Sequence, residues 1–160
     1  MRPFFFLGRR LPVVLFALGL AFPAHATKRL VVLGDSLTEG YGVAREAAYP
    51  ARLQEKITAD HLDWVVINAG ISGSTTASGV SRLRWQLRQK PDLLILALGA
   101  NDGLRGQPVE DMRKNLGDAI ELAQKAKVAI VLAGMRMPPN YSKEYAEKFR
   151  AVFPELAKRY

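Results

Sequence analysis

The chain has 160 residues, of which 49% are hydrophobic, and it contains no cysteine. That length and composition suit one domain with a hydrophobic core, and the lack of cysteine excludes disulfides, thiol catalysis and thiolate metal sites. The net charge is +8, spread along Arg82, Arg84, Arg88 and the last helix rather than gathered in a basic patch interleaved with aromatic residues. We interpret these charges as solvated helix faces and expect no nucleic-acid partner, while peripheral contact with anionic lipid stays open.

The first 26 residues are typical of a secretory signal peptide. Arg9 and Arg10 precede the apolar run 11–24, and Ala24-His25-Ala26 has the small-x-small pattern of a cleavage site. The apolar run is short for a membrane span. We expect export by the general secretory route to the periplasm or beyond, and a mature domain of residues 27–160. Without the three N-terminal arginines that domain carries a net charge of +5.

Strand and helix patterns alternate along residues 27–160. Short apolar runs predict four strands, at 30–33, 64–67, 93–98 and 128–132. Apolar residues at helical spacing predict helices after each strand, over about 49–57, 80–87, 109–123 and 141–156, the last with a kink at Pro154. This order predicts a doubly wound, three-layer α/β fold with a parallel sheet and right-handed crossovers.

The C-terminal end of the pattern is abrupt. The last helical stripe runs to Tyr160 with no capping glycine and no following strand. We therefore expect a domain that is incomplete at its C-terminus, with the last strand and helix missing and the edge of the fourth strand exposed.

Ser36 lies on the turn that follows the first predicted strand. Parallel strands present their carboxyl ends at one edge of the sheet, which is where open α/β folds bind ligands. A serine there is either a nucleophile or an ordinary residue at a strand-to-helix turn, and the segment alone does not separate these readings.

Two further turns are predicted at the same edge, 68–74 and 99–103. The N–H groups of Ser36 and Gly73, with the side-chain amide of Asn101, can point at one developing oxyanion. Each turn also has a structural interpretation by itself, because Gly73 can simply turn the chain and Asn101 can cap a loop.

Taken together, in this order and spacing, the three turns resemble the GDSL or SGNH hydrolase family. Gly34-Asp35-Ser36-Leu37 matches the first block of the family, the Gly73 turn its second, and Gly99-Ala100-Asn101-Asp102 its third. The resemblance covers residues 29–160. Segments 103–106 and 137–141 are similar to the bacterial periplasmic branch of arylesterases, lysophospholipases and acyl-CoA thioesterases.

The resemblance implies a flavodoxin-like fold and hydrolysis of carboxylic esters or thioesters through an acyl-enzyme. Ser36 would be the nucleophile, and Ser36, Gly73 and Asn101 would form the oxyanion hole. The substrate would be a small ester or lysolipid, with no metal or organic cofactor. Asp35 and Asp102 are interpreted as structural hydrogen-bonding groups. The loop 103–108 would lie beside an acyl-chain groove, its two glycines permitting movement.

The sequence departs from the family at the fourth block, Asp-x-x-His, which supplies the base and the residue that orients it. Its two histidines are His25, inside the predicted signal peptide, and His61, in a loop predicted at the opposite edge from Ser36. We interpret His61 as a solvated loop residue and expect the 160-residue chain to be inactive or nearly so.

Three alternatives remain. A non-catalytic or decayed binding protein would keep the same fold, and a carbohydrate acetylesterase would keep the same chemistry. A nucleotide-binding module is disfavoured because no glycine-rich phosphate loop follows any predicted strand. The sequence does not predict the oligomeric state.

Overall fold

The computed structural model describes residues 26–160, so the predicted signal peptide lies almost entirely outside the described residues. Four strands form one parallel sheet in the order β2-β1-β3-β4: β1 (Lys28–Gly34), β2 (Trp64–Gly70), β3 (Leu93–Ala97) and β4 (Ala129–Leu132). The connecting helices are α1 (Ser36–Glu39), α2 (Tyr49–Ala59), α3 (Gly79–Leu87), α4 (Ala100–Leu104), α5 (Val109–Lys125) and α6 (Lys143–Arg159). The predicted α/β fold with a parallel sheet is confirmed.

The central strand β1 is apolar because helices cover both faces of the sheet. Val31, Val32 and Leu33 are fully buried. Successive side chains of a strand point to opposite faces, so Val31 and Leu33 share the larger core while Val32 faces the other layer. That larger core is filled by apolar side chains of β3, α3, α5 and α6.

Several elements differ from the sequence prediction in their bounds or in kind. Strand β2 continues to Gly70, three residues further than its apolar run, because its parallel pairing with β1 extends to the Gly34–Gly70 pair. Short helices α1 and α4 replace two predicted turns. Helix α6 begins after Tyr141, because the Ser142 side chain accepts a hydrogen bond from the Tyr145 N–H at 3.2 Å and caps the helix. It continues through Pro154.

Strand β4 pairs with β3 on one side only, so it is an edge strand within residues 26–160. Beside it lies an open groove of about 360 Å³ between α5 and α6, with Ile130 and Leu132 of the strand in its wall. Val131 is half exposed on the strand. No helix within the described part of the chain is long and apolar enough to cross a membrane.

Candidate active site

The ends of three strands bring the three predicted turns to one edge of the sheet. Gly34, the last residue of β1, pairs with Gly70 on one side and with Ala97 on the other. The turns after β1, β2 and β3 therefore leave the sheet at the same level. This alignment is what groups the Ser36, Gly73 and Asn101 segments.

Ser36 is the first residue of α1, directly after the buried carboxyl of Asp35. Asp35 caps this helix, since its Oδ1 accepts a hydrogen bond from the Leu37 N–H at 3.0 Å. Gly34 permits the close turn, because a Cβ at this position would lie 2.6 Å from the Thr38 Cβ and 3.0 Å from the Ala97 carbonyl oxygen. The turn that carries Ser36 is thus fixed by a helix cap and close packing rather than being an open loop.

The second turn is attached to the first by a carboxylate. Glu39 accepts hydrogen bonds from both the N–H and the hydroxyl of Ser72, the former at 2.8 Å. The Ile71 N–H also donates to the Gly34 carbonyl at 3.2 Å. Gly73 follows with a φ of +76°, a conformation that favours glycine. These contacts hold the Gly73 turn against the start of α1.

Asn101 of α4 and Arg105, the residue that follows α4, hold the same turn from the other side. The Asn101 amide donates to the Ser74 carbonyl at 3.0 Å, and Arg105 donates from Nη2 to the Gly73 carbonyl at 3.0 Å. The two residues lie four apart and so share one face. The Asn101 amide has two hydrogens, so the bond to Ser74 orients it and leaves the other hydrogen for a ligand.

Asp102 performs a structural role under this turn. Its side chain is buried and accepts hydrogen bonds from the N–H and the hydroxyl of Thr76, at 2.9 and 2.5 Å. Asp35 and Asp102 are therefore both engaged in holding local structure, in agreement with the interpretation from the sequence.

Arg82 connects the Ser36 turn and the second turn through the strand ends that precede them. The sequence suggested an arginine on the solvated outer face of α3, and that interpretation is wrong for this residue. Its Nη2 donates to the Gly34 carbonyl at 2.9 Å and to the Ala69 carbonyl, because its long side chain passes inward beside the buried Leu83. One guanidinium thus connects the carboxyl ends of β1 and β2.

The charged groups of Asp35 and Arg82, close to Ser36, perturb each other's pKa. Burial raises the pKa of Asp35 above its ordinary value, and the Arg82 guanidinium counteracts that rise. Burial lowers the pKa of Arg82, which Asp35 in turn opposes. The pKa of Tyr49 is also raised by burial, and its hydroxyl lies 3.0 Å from the Thr38 hydroxyl. Ser36 therefore lies beside a small network of interacting polar groups, of which the Asp35 side chain is the most deeply buried.

An apolar groove of about 370 Å³ opens next to Ser36. Leu37 and Ala100, the neighbours of Ser36 and Asn101, both line it, and Leu104, Met137 and Phe149 form much of the rest. The groove therefore borders the first and third turns.

One expectation about this region is wrong. Gly103 was expected to give the following loop freedom to move, but it is buried in α4 and packed against Met137 and Phe149. A Cβ at Gly103 would lie 2.8 Å from the Phe149 ring, so this glycine serves close packing. Gly106, with a φ of +61°, has open space around it.

His61 lies far from Ser36. It is exposed, with a φ of +54°, in the short segment between α2 and the amino end of β2. A seven-residue strand separates the two edges, which is about 20 Å at the usual rise per residue. Within residues 26–160, no three histidine or carboxylate side chains lie close enough together to hold a metal ion.

Sequence reasoning found the three turns but missed Glu39, Arg82 and Arg105, the side chains that connect them. Their partners lie between 13 and 48 residues away in the sequence. No local pattern marks such contacts.

Comparison with known proteins agrees with this geometry. Residues 32–160 match the sequence model of the GDSL-like Lipase/Acylhydrolase family. An arylesterase of Vibrio mimicus is 41% identical over 93% of this chain and 74% of the relative. The Escherichia coli K12 protein named thioesterase 1/protease 1/lysophospholipase L1 is 38% identical over 91% of this chain and 69% of the relative.

Solved structures give the same result. The SGNH-hydrolase family esterase AlinE4 superposes with a TM-score of 0.80 at 38% identity, over 85% of this chain and 74% of that one. The chain therefore belongs to the GDSL-like lipase/acylhydrolase family, the SGNH hydrolases, which are enzymes that hydrolyse carboxylic esters.

Proposed function

We propose that Ser36 is the nucleophile of an esterase that acts through a covalent acyl-enzyme. The observation that supports this role is the strand register, in which Gly34 is opposite both Gly70 and Ala97. That register sets Ser36 between the two turns that carry Gly73 and Asn101. In the proposed reaction the Ser36 Oγ attacks the acyl carbon, the alcohol or thiol leaves, and water then releases the acid.

The N–H groups of Ser36 and Gly73 and the amide of Asn101 would stabilise the oxyanion. Neither N–H donates to a backbone acceptor within residues 26–160. Asn101 keeps one amide hydrogen after its bond to Ser74. Three donors of this kind suit a tetrahedral intermediate, and loss of one such donor costs about 10²–10³ in rate.

The groove beside Leu37 and Ala100 would hold the acyl chain. Its wall is apolar apart from Arg136, and it begins next to the nucleophile. Apolar burial stabilises an acyl chain by about 0.8 kcal/mol for each CH₂ group that leaves water. We therefore propose aryl esters, lysophospholipids and acyl thioesters as substrates rather than acetylated sugars.

The general base is the missing part of this mechanism. Among residues 26–160 the single histidine, His61, lies about 20 Å from Ser36 by strand length. A serine without a base is a weak nucleophile at neutral pH. We propose that the 160-residue chain reacts slowly, and that full activity needs an Asp-x-x-His segment at the carboxyl edge of the sheet.

A grafted chain tests this proposal. The 160-residue chain is compared with the same chain extended after Tyr160 by an Asp-x-x-His segment from a family member, and with the extended chain in which that histidine is alanine. We expect a serine-directed fluorophosphonate to label the extended chain at least about 10³-fold faster than the other two, the scale of losing a triad member. Ser36→Ala should abolish labelling in every background.

The same chains are then assayed with p-nitrophenyl esters of increasing acyl length, a lysophosphatidylcholine, an acyl thioester and an acetylated xylose. We expect rates to rise with acyl length until the groove is filled. A folded extended chain that stays unlabelled would overturn the catalytic proposal and favour a non-catalytic binding protein. A preference for the acetylated sugar would overturn the substrate proposal alone.

The location outside the cytoplasm also remains a proposal. It rests on the pattern of the first 26 residues. N-terminal sequencing of the protein recovered from the periplasm or medium is expected to begin at Thr27. Recovery of the intact N-terminus from the cytoplasm would contradict it.

A further inference from the structure

The basic residues of this chain gather at the edge of the sheet opposite the candidate active site. We define the basic face as the last turns of α2, α3, α5 and α6 together with the segments that lead into the four strands, residues 26–29, 56–63, 84–92, 122–128 and 156–160. The sequence suggested dispersed charges. The fold brings them together because every strand of the parallel sheet begins at this edge and the four long helices, α2, α3, α5 and α6, end there.

The charge of this face is strongly one-sided. Its segments contain ten lysines and arginines against three aspartates, a local charge of +7. Residues 27–160 as a whole carry +5, so the remainder, including the candidate active site, carries −2. One of the three aspartates, Asp92, already accepts a hydrogen bond from the Arg29 N–H at 2.8 Å.

Helix dipoles explain only part of this excess. A cation in the last turn of a helix is stabilised by about 0.3–1 kcal/mol, and each of the four last turns carries at least one. The other five basic residues, Lys28, Arg29, Arg88, Lys90 and Lys127, lie outside those turns. Arg29 also links the strand to the helix layer, since its Nη1 donates to the Gln89 carbonyl at 2.7 Å.

Exposed apolar side chains accompany these charges. Trp85 is 61% exposed on the last turn of α3, and the Arg88 guanidinium lies 4.6 Å from its ring centre. Leu62 is 53% exposed in the segment leading into β2. Tryptophan beside arginine or lysine is the combination that favours the boundary between water and lipid headgroups.

We propose that the basic face is a docking surface for an anionic lipid bilayer. Lysine and arginine near a surface of anionic lipids each contribute about fivefold to binding, and Trp85 would insert at headgroup depth. The described chain also enters the fold at this edge, since Thr27 directly precedes β1. When the protein docks in this way, the sheet edge that carries Ser36 faces away from the bilayer and lies about one strand length from it.

A vesicle assay on the 160-residue chain tests the docking surface independently of catalysis. Binding is compared between pure phosphatidylcholine vesicles and vesicles with roughly 30% phosphatidylglycerol, at about 150 mM NaCl. Residues 1–25 carry three arginines of their own, so the contribution of the basic face is measured by the loss of binding in the variants below and not by total binding. We expect clear extra binding to the anionic vesicles, reduced at higher salt.

The variants locate that extra binding on the molecule. Arg84→Gln with Arg88→Gln should weaken it by about 25-fold, fivefold for each arginine. The control, Arg45→Gln with Lys143→Gln, removes the same charge from exposed residues outside the basic face and should change binding by less than about threefold. In a Trp64→Phe background, Trp85 fluorescence should shift to the blue on anionic vesicles.

Several results would overturn the proposal. One is equal binding to both vesicle types, and another is an equal loss of binding in the two double variants. The others are a Trp85 fluorescence maximum that does not shift, and tighter binding to duplex DNA than to anionic vesicles at the same salt. Each leaves the proposed esterase chemistry untouched, because none of these variants changes Ser36, Gly73 or Asn101.

Discussion

Replacing Arg82 by methionine removes the guanidinium that connects the ends of β1 and β2 while keeping much of its apolar side chain. The variant loses two hydrogen bonds, to the carbonyls of Gly34 and Ala69. Hydrogen bonds that involve a charged group contribute about 1.5–3 kcal/mol each. Burial of the guanidinium, which lowers its pKa, offsets part of this gain. We therefore expect the free energy of unfolding to fall by about 2–4 kcal/mol, and Tm by roughly 5–15 °C.

The loss of unfolding free energy in Arg82→Met should depend on pH, because the substitution changes the pKa of Asp35. Burial already raises the folded-state pKa of Asp35 above its ordinary value of 3.8, and Arg82 works against that rise. Without Arg82 the folded-state pKa rises further, so the ionised carboxyl costs more stability at neutral pH. That extra cost should disappear as the pH falls through the folded-state pKa towards 3.8, where the carboxyl binds a proton in both states.

Urea unfolding followed by circular dichroism, at about pH 8 and about pH 4.5, measures both effects. The matched control is Arg84→Met, two residues later on α3, where the side chain is exposed and should cost less than about 0.5 kcal/mol. Equal free energies of unfolding for the two variants would contradict this prediction. So would a loss in Arg82→Met that is the same at both pH values.

Two further predictions concern the turns around Ser36. Gly34→Ala should destabilise the fold by more than about 3 kcal/mol in thermal melts, because its Cβ would overlap the Thr38 side chain. The control is Gly134→Ala, whose Cβ would have its nearest neighbour at 3.7 Å. Tyr145→Phe removes the 2.7 Å hydrogen bond to the Gln107 carbonyl and should cost about 1 kcal/mol, with faster amide hydrogen exchange at residues 105–107. Unchanged exchange there would show that the bond does not hold the loop.

The sequence alone predicts the strands and the long helices, because their apolar residues form continuous runs or recur at helical spacing. Apolar runs mark the buried strands, and the stripe Val80, Leu83 and Leu87 marks α3, because burial of one face requires that spacing. The short helices α1 and α4 were not predictable in this way. One turn of helix shows no periodicity, and α1 depends instead on the Asp35 cap.

The features that the sequence did not predict depend on contacts between residues far apart in the chain. The amphipathic pattern of α3 assigns Arg82 to the helix surface, but its guanidinium reaches carbonyls 13 and 48 residues away. Likewise the ten positive charges of the basic face are scattered in the sequence, and they meet because of the direction in which the sheet runs. Such features follow from topology and not from any local window.

The two glycines at the ends of β1 and β2 decide how these strands align. Val31, Val32 and Leu33 are all fully buried, so the alternation of apolar and polar residues that sets the alignment of a half-exposed strand is absent from β1. The alignment of β2 with β1 is set instead by steric fit, because a Cβ at Gly70 would lie 2.7 Å from the Glu39 Cα. If β2 slipped by one residue in either direction, Ala69 or Ile71 would collide with α1. The position of Ser36 relative to the second turn is therefore set by the absence of a methyl group on the neighbouring strand.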